Sequence, residues 1–356
     1  MRFAFTDDQV ALRDAVRLLL ARECPAEVVR AAWPEGTDTS GARKGEGARA
    51  AADRSWAALT EMGVLGVAVS EARGGLGLGP VDWVLLAEEA GYAALPHPFA
   101  ETVAVVAPLL DRVGDPDGVL PGLLDGSRPG GAVPPGSATV AWADEIGYLV
   151  RLDHRPGQPE PWRAQRVTAG VAAGAVEVGE RAPADAVDAG RRLARLDGGV
   201  AGGPLGGPEE AEAAFDGGAL AVAAQLVGLG RRMVDLTVAY ATERRQFGAP
   251  IGSFQAVKHH LADAALGLRF AAPAVYGAAW SLATGQPTAG RDVSMAKALA
   301  SDAARAAGRH ALQCHGAIGY TVEADLHLYL KRAEALARSW GDAAWHRRRV
   351  ATALGL

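Results

Sequence analysis

The stretch ERRQFGAPIGSFQ, residues 243–255, joins two runs of helical periodicity. Before it, Val222, Leu226, Leu229, Met233, Leu236 and Tyr240 recur at intervals of three and four residues. After it, Phe254, Val257, Leu261, Ala264, Ala265 and Leu268 form a second such stripe. Narrow apolar stripes of this kind line helical bundles. Gly248, Pro250 and Gly252 set a turn between the two helices. The turn also carries chemistry. Arg244 can clamp a phosphate bidentately, Phe247 offers an apolar platform, and Gln255 opens the next helix, where anions are favoured. Composition alone favours the plainer reading, a basic turn between helices.

Further along, residues 292–314 and about 322–338 read as a third and fourth helix. Between them lies QCHGAIGYT, residues 313–321, where Gly316 and Gly319 would let a backbone approach a ligand closely. A glycine turn ending a helix explains it equally. Upstream, residues from about 115 to 210 are rich in Gly and Pro, as in GDPDGVLPGLLDGSRPGGAVPPGS. Short apolar pieces at 139–142, 148–152, 166–171 and 175–178 read as strands between turns. The N-terminal part is helical again. Thr6 and Gln9 form a capping box, and further helices are expected near 56–62, 81–92 and 101–113. Residues 30–54, rich in Gly, Ala and charge, read as a mobile loop or linker, with Gly36 to Arg49 flexible and polar. GGLGLGP, residues 74–80, lacks the GxGxxG spacing and reads as a turn between helices. The chain is thus mainly α with a small β domain: an N-terminal helical domain (1–120), a shortened middle β domain (121–210) and a C-terminal helical bundle (211–356).

Composition sets bounds on function. A chain of 356 residues accommodates two or three domains. A charged fraction of 22% beside 49% hydrophobic residues excludes disorder for most of it. A net charge of −5 excludes a strong basic field for nucleic acid or an anionic membrane. Cys24 and Cys314 are the only cysteines, so a disulfide scaffold is excluded. Charges at Asp7, Asp8, Arg13, Asp14 and Arg17 interrupt any signal-like segment, and the apolar stretch Ala219 to Gly230 is too short for a bilayer and contains Gln225. A cytoplasmic protein is expected. No GxxxxGK[ST] or HExxH motif is present. His310 and Cys314 lie four apart without further ligands, and His259 and His260 read as helix surface, so no metal is expected.

Together these segments resemble the acyl-CoA dehydrogenase family. The resemblance covers most of the chain: FTDDQVALRDAVRLLL (5–20), EMGVLGVAVSEARGGLGLGPVDWVLLAEEAGY (61–92), and two specific signatures, RRQFGAPIGSFQAVKHHLAD (244–263) and QCHGAIGYTVEADLHLYLKRA (313–333). The tail RSWGDAAWHRRRVA is similar to that of actinobacterial-type members. The resemblance implies a helical domain, a β domain and a four-helix bundle. It also implies FAD, whose ADP half crosses a dimer interface. Arg244, Phe247 and Gln255 from one chain would hold it, with Gln313 and Gly316 from the neighbour. Ala317 stands where the family usually has Gly, which weakens the site if the backbone there must be left-handed.

The pattern breaks at the catalytic base. The family uses a glutamate to remove the α-proton of an acyl thioester while flavin N5 takes the β-hydride. Trp340 stands at the usual glutamate position, and Gly218 at the alternative one, 26 residues before the signature arginine. Neither accepts a proton. Asp216 and Asp342 are the nearest carboxylates, both poor candidates. The segment that packs along the flavin ring in relatives is missing, and residues 126–142 look too short for the usual strands. The resemblance therefore implies the subunit that lost its base in a heteromeric, α2β2 acyl-CoA dehydrogenase. Its partners would be an acyl-CoA, with a bulky acyl group such as a steroid side chain, a paralogous base-bearing subunit and an electron-transfer acceptor. The alternatives are a self-sufficient homomeric flavoenzyme with an atypical base, or a cofactor-free scaffold on the same fold.

Overall fold

The computed structural model describes residues 4–33, 47–154, 161–167, 171–172, 175–176, 186–196 and 201–356. Helix α1 (Asp7–Glu23) begins at the capping box: the Gln9 amide donates to Thr6 Oγ1 at 3.3 Å, and the Thr6 amide to Gln9 Oε1 at 2.9 Å. Helices α2 (Ala26–Ala31), α3 (Gly47–Glu61), α4 (Pro80–Tyr92), α5 (Ala107–Val113) and α6 (Leu120–Leu124) follow. The expected linker is corrected at its end, because residues 47–54 belong to α3. Four of those eight residues are alanine, which favours helix strongly. Residues 34–46, most of that expected loop, lie outside the described residues. The helix expected from 101 is wound as a π-helix over Ala100–Val106 before it becomes α5.

Among the described residues, eight short strands make the β part: β1 (Gly130–Val133), β2 (Thr139–Val140), β3 (Tyr148–Asp153), β4 (Arg163–Val167), β5 (Val171–Ala172), β6 (Ala175–Val176), β7 (Ala194–Arg195) and β8 (Ala201–Pro204). The main sheet runs β1-β3-β4-β8, with β1 parallel to β3 and the other pairs antiparallel. Strands β2 and β7 pair separately, as do β5 and β6. Residues 126–142 hold two short strands, β1 and β2. They fit because β1 has four residues and β2 two. The strand expected at 166–171 starts earlier, at Arg163, and residues 168–170 fall outside the described set, as do 177–178 of the strand expected at 175–178.

The remainder is helical: α7 (Pro208–Glu243), a hairpin of β9 (Arg245–Gln246) and β10 (Ala249–Pro250), α8 (Gln255–Ala283), α9 (Ala289–His315) and α10 (Leu326–Arg338). A further helix, α11 (Ala343–Ala353), lies in the tail and had no counterpart in the periodicity. Helix α7 is the axis of the molecule. It packs against α4, the π-helical segment, α8, α9 and α10. Residues 214–230 are all buried. Its 36 residues make it long and apolar enough to cross a membrane, although the apolar stretch 219–230 alone looked too short; its most apolar window is 94% buried inside the fold. Burial, not a bilayer, thus accounts for its composition. Val222, Leu226 and Leu229 are each 0% exposed. Truncating Leu226 or Leu229 to alanine would cost about 2–5 kcal/mol. One continuous core joins the N-terminal helices to the bundle through α7, and a second small one underlies the sheet around Val140, Trp142 and Ile146.

Candidate functional site

Up-and-down connectivity brings the end of α7, the start of α8 and the end of α9 to one end of the bundle. Tyr240, one turn before Arg244, stacks on His315 with ring centroids 4.4 Å apart. His260 and His310 meet through their Nδ1 atoms at 2.9 Å. Both signature segments are thereby fixed beside each other. In the hairpin, Gln246 pairs with Ala249, so the loop is Phe247-Gly248. Both residues are left-handed, with φ +51° and +79°. Two positive φ values are what a tight two-residue hairpin demands. For a phenylalanine that conformation costs about 1–2 kcal/mol. The strain presents a ring that is 94% exposed, edge-on to Phe254 at 6.2 Å.

Arg244 ends α7, and Gln255 opens α8, whose free amides no side chain caps. Both are exposed, as is Gln313. Among the described residues, none of these three side chains has a hydrogen bond or ion pair within the chain. Gly316 ends α9 at φ +63°, ψ −140°, a region open essentially to glycine alone. A Cβ there would meet nothing within 4 Å, so backbone conformation and not space requires the glycine. Ala317 has no positive φ, so alanine is unstrained at that position.

The two positions implied for a base form one place. A Cβ built on Gly218 would lie 2.4 Å from Trp340 Cζ3 and 2.6 Å from Cε3 and Cη2. The indole, 1% exposed, is seated on the α7 backbone where either glutamate would project. Trp340 is itself left-handed, at φ +57°. Its turn is pinned from two sides. His346 Nε2 lies 2.8 Å from the Trp340 carbonyl, and Lys297 Nζ donates to the Gly341 carbonyl at 3.0 Å, the Ala337 carbonyl at 3.3 Å and Ser301 Oγ at 3.2 Å. Burial pulls the Lys297 ammonium down to about 7. Burial, helped by Lys297, pulls His346 down to about 3, so its imidazole is neutral and donates from Nε2.

The two candidate aspartates are engaged elsewhere. Asp342 is the N-cap of α11, accepting from the Trp345 amide at 2.7 Å. Asp216 is buried in an ion pair with Arg349, which also reaches Glu212 at 2.8 Å. Burial pushes the Asp216 carboxyl up, and Arg349 opposes it.

Trp340 forms part of the wall of a cleft of about 650 Å³ between the β1–β2 region, residues 187–193 and the turn from α10 to α11. Two residues that sequence reasoning missed also line it, Glu101 and Arg191. Glu101 is 6% exposed and sits on the π-helical segment. Such segments often occur at functional sites. Burial pushes its carboxyl up, against Arg191 and Arg332. The available signal was one carboxylate in an otherwise apolar run, FAETVAVVAPLL. Arg191 Nη1 donates to Ser339 Oγ at 2.9 Å. Behind them Arg332 pairs with Asp188 and donates to the Leu95 carbonyl at 3.0 Å. Among the described residues, no group of three or more metal-ligating side chains lies together.

This architecture and its paired signature turns place the chain in the acyl-CoA dehydrogenase family, to which it belongs. Residues 6–126 match the family's N-terminal domain and residues 206–355 its C-terminal domain. The chain is 30% identical over 355 residues to acyl-CoA dehydrogenase IpdE2 of Mycolicibacterium smegmatis, covering 97% of this chain and 98% of that protein. It is 31% identical to acyl-CoA dehydrogenase IpdE2 of Mycobacterium tuberculosis, covering 93% and 92%. In fold it is similar to the Tcur3481-Tcur3483 steroid ACAD G363A variant, with a TM-score of 0.77, 23% identity and 98% of both chains covered. The ChsE4-ChsE5 complex of Mycobacterium tuberculosis gives a TM-score of 0.79 at 22% identity, covering 100% and 99%.

Proposed function

We propose that this chain is the subunit without a base in a heteromeric, FAD-dependent acyl-CoA dehydrogenase. The assembly would introduce an α,β double bond into an acyl-CoA thioester, with a paralogous chain as catalytic partner in an α2β2 arrangement. The observation that carries this reading is the Trp340 indole seated on Gly218. Removal of an α-proton needs a basic group within hydrogen-bond reach. An indole N–H only donates, so neither family position can perform that step here.

The cofactor end of the chain, by contrast, fits the ADP half of FAD. Arg244 would take the pyrophosphate, the uncapped start of α8 with Gln255 would add donors, and Phe247 would lie against an apolar face. Gln313 and Gly316 of a neighbouring subunit would complete the site. FAD, when bound, supplies the hydride-accepting chemistry. The chain's own contribution is to hold and orient it from across an interface. Two fold neighbours are titled as pairs of chains, one of them a steroid ACAD, which supports a paralogous partner and a bulky acyl group. The electron acceptor would be a separate carrier protein, and the site of action the cytoplasm.

Co-expression with a family member that carries the glutamate tests the assembly. A stoichiometric complex on size exclusion is expected; two proteins that elute separately would sink the proposal.

A further inference from the structure

We infer that the cleft between the sheet and the bundle binds the carboxylate of a monoanionic organic acid with an apolar body, held by the Arg191 guanidinium. The inference concerns this chain's own cleft and stands apart from the heteromer reading.

The first argument is the hydrogen-bond account. Arg191 is 7% exposed and lines the cleft. Nη1 has Ser339 Oγ as its acceptor. Among the described residues no other side chain or carbonyl of the chain accepts from its guanidinium. Its remaining N–H groups are solvent-accessible and not buried without a partner, and a guanidinium offers a planar fork that matches a carboxylate.

The second argument is charge. Two buried guanidinium groups, Arg191 and Arg332, face the carboxylate of Asp188, which Arg332 already engages. Burial pushes the carboxyl of Glu101, another acid lining the cleft, up, and Arg191 and Arg332 oppose it. Arg191 forms no ion pair among the described residues, and a buried charge requires a partner. A single carboxylate neutralises it; a phosphate dianion would overshoot beside Asp188.

The third argument is shape. The cleft volume lies within the usual range for small-molecule sites, roughly 300–1,000 Å³. Trp340, Trp345, Leu193 and Ala132 give it apolar walls. Arg338 and Arg348 stand exposed on its lining and, among the described residues, form no ion pair, so the approach is attractive to anions.

The test is a calorimetric titration of the full chain with sodium octanoate at neutral pH, with quenching of Trp340 and Trp345 fluorescence as a second readout. Octan-1-ol and octyl phosphate serve as comparison ligands. Octanoate is expected to bind at one equivalent and octan-1-ol at least about tenfold more weakly, the scale of one charge-assisted hydrogen bond. Octyl phosphate should also bind more weakly. Arg191→Met should lose about tenfold or more, while Glu101→Gln, which leaves the guanidinium in place, should stay within about threefold. Equal binding of octan-1-ol and octanoate, tighter binding of octyl phosphate, no octanoate binding, or wild-type affinity in Arg191→Met would each overturn the assignment. If Arg191→Met does not fold, the three-ligand comparison on the wild-type chain decides alone. Failure to assemble with a paralogue would leave this titration unaffected, and the reverse holds too.

Discussion

Replacing Gly218 by alanine puts a methyl carbon 2.4 Å from Trp340 Cζ3, inside a run of α7 that is buried throughout. Carbon atoms do not approach so closely, so the indole must move. It has little room to do so. The ring is 1% exposed, and Lys297 and His346 pin the carbonyls of its turn. Overpacking of this kind costs about 1–3 kcal/mol, against which alanine gains about 0.5–1 kcal/mol over glycine in a helix interior. Gly218→Ala should therefore destabilise the chain by up to about 2.5 kcal/mol. In a Trp340→Leu background the obstacle is gone, and the same substitution should stabilise by about 0.5–1 kcal/mol. The sign reverses, and the coupling between the positions is about 1–3 kcal/mol. Urea denaturation of the four proteins, followed by circular dichroism, measures it. An equal destabilisation by Gly218→Ala in both backgrounds would show that the indole does not occupy the space above residue 218.

Three further outcomes are expected. Phe247→Ala, at an exposed and strained position, should leave stability within about 0.5 kcal/mol of wild type, yet the assembled heteromer should retain less flavin through gel filtration; undiminished retention would remove Phe247 from the site. Lys297 loses its proton near pH 7 when folded and only near its ordinary 10.5 when unfolded. Between those values the unfolded chain holds the extra proton, so stability rises with pH by up to about 1.4 kcal/mol per unit. Lys297→Met should abolish that rise, and equal slopes in both proteins would refute the buried-ammonium argument. Arg349→Met leaves Asp216 buried without its cation and should cost about 3–5 kcal/mol, with Asp216→Asn milder because it leaves no orphaned anion; thermal denaturation that ranks them the other way would contradict this.

Long-period features were legible in the sequence, and contact-level features were not. The stripe from Val222 to Tyr240 announced α7 because one face of that helix stays apolar over its C-terminal half. Thr6 and Gln9 announced the start of α1 because capping is a local bargain between neighbours. Helix α11 escaped because its apolar positions are few and Arg347, Arg348 and Arg349 run together, although Asp342 as N-cap was a usable start signal. Two-residue strands such as β2 and β7 have no periodicity to read. At the site, that residues 340 and 218 carry no carboxylate could be read from motif spacing. That the two positions touch could not, since they lie far apart in the chain and meet only through the packing of the Trp340 turn on α7. Glu101 was hidden in an apolar run because a π-helical turn, which has no sequence signature, carries it to the cleft.

The most direct measurement is the visible absorption spectrum and acyl-CoA turnover of the chain purified alone, beside the same chain co-purified with a glutamate-bearing paralogue. The account predicts flavin absorbance and turnover in the co-purified assembly and no turnover by the chain alone. A chain that by itself carries stoichiometric flavin and desaturates an acyl-CoA would contradict it, because a base would then exist that neither residue 218 nor residue 340 provides.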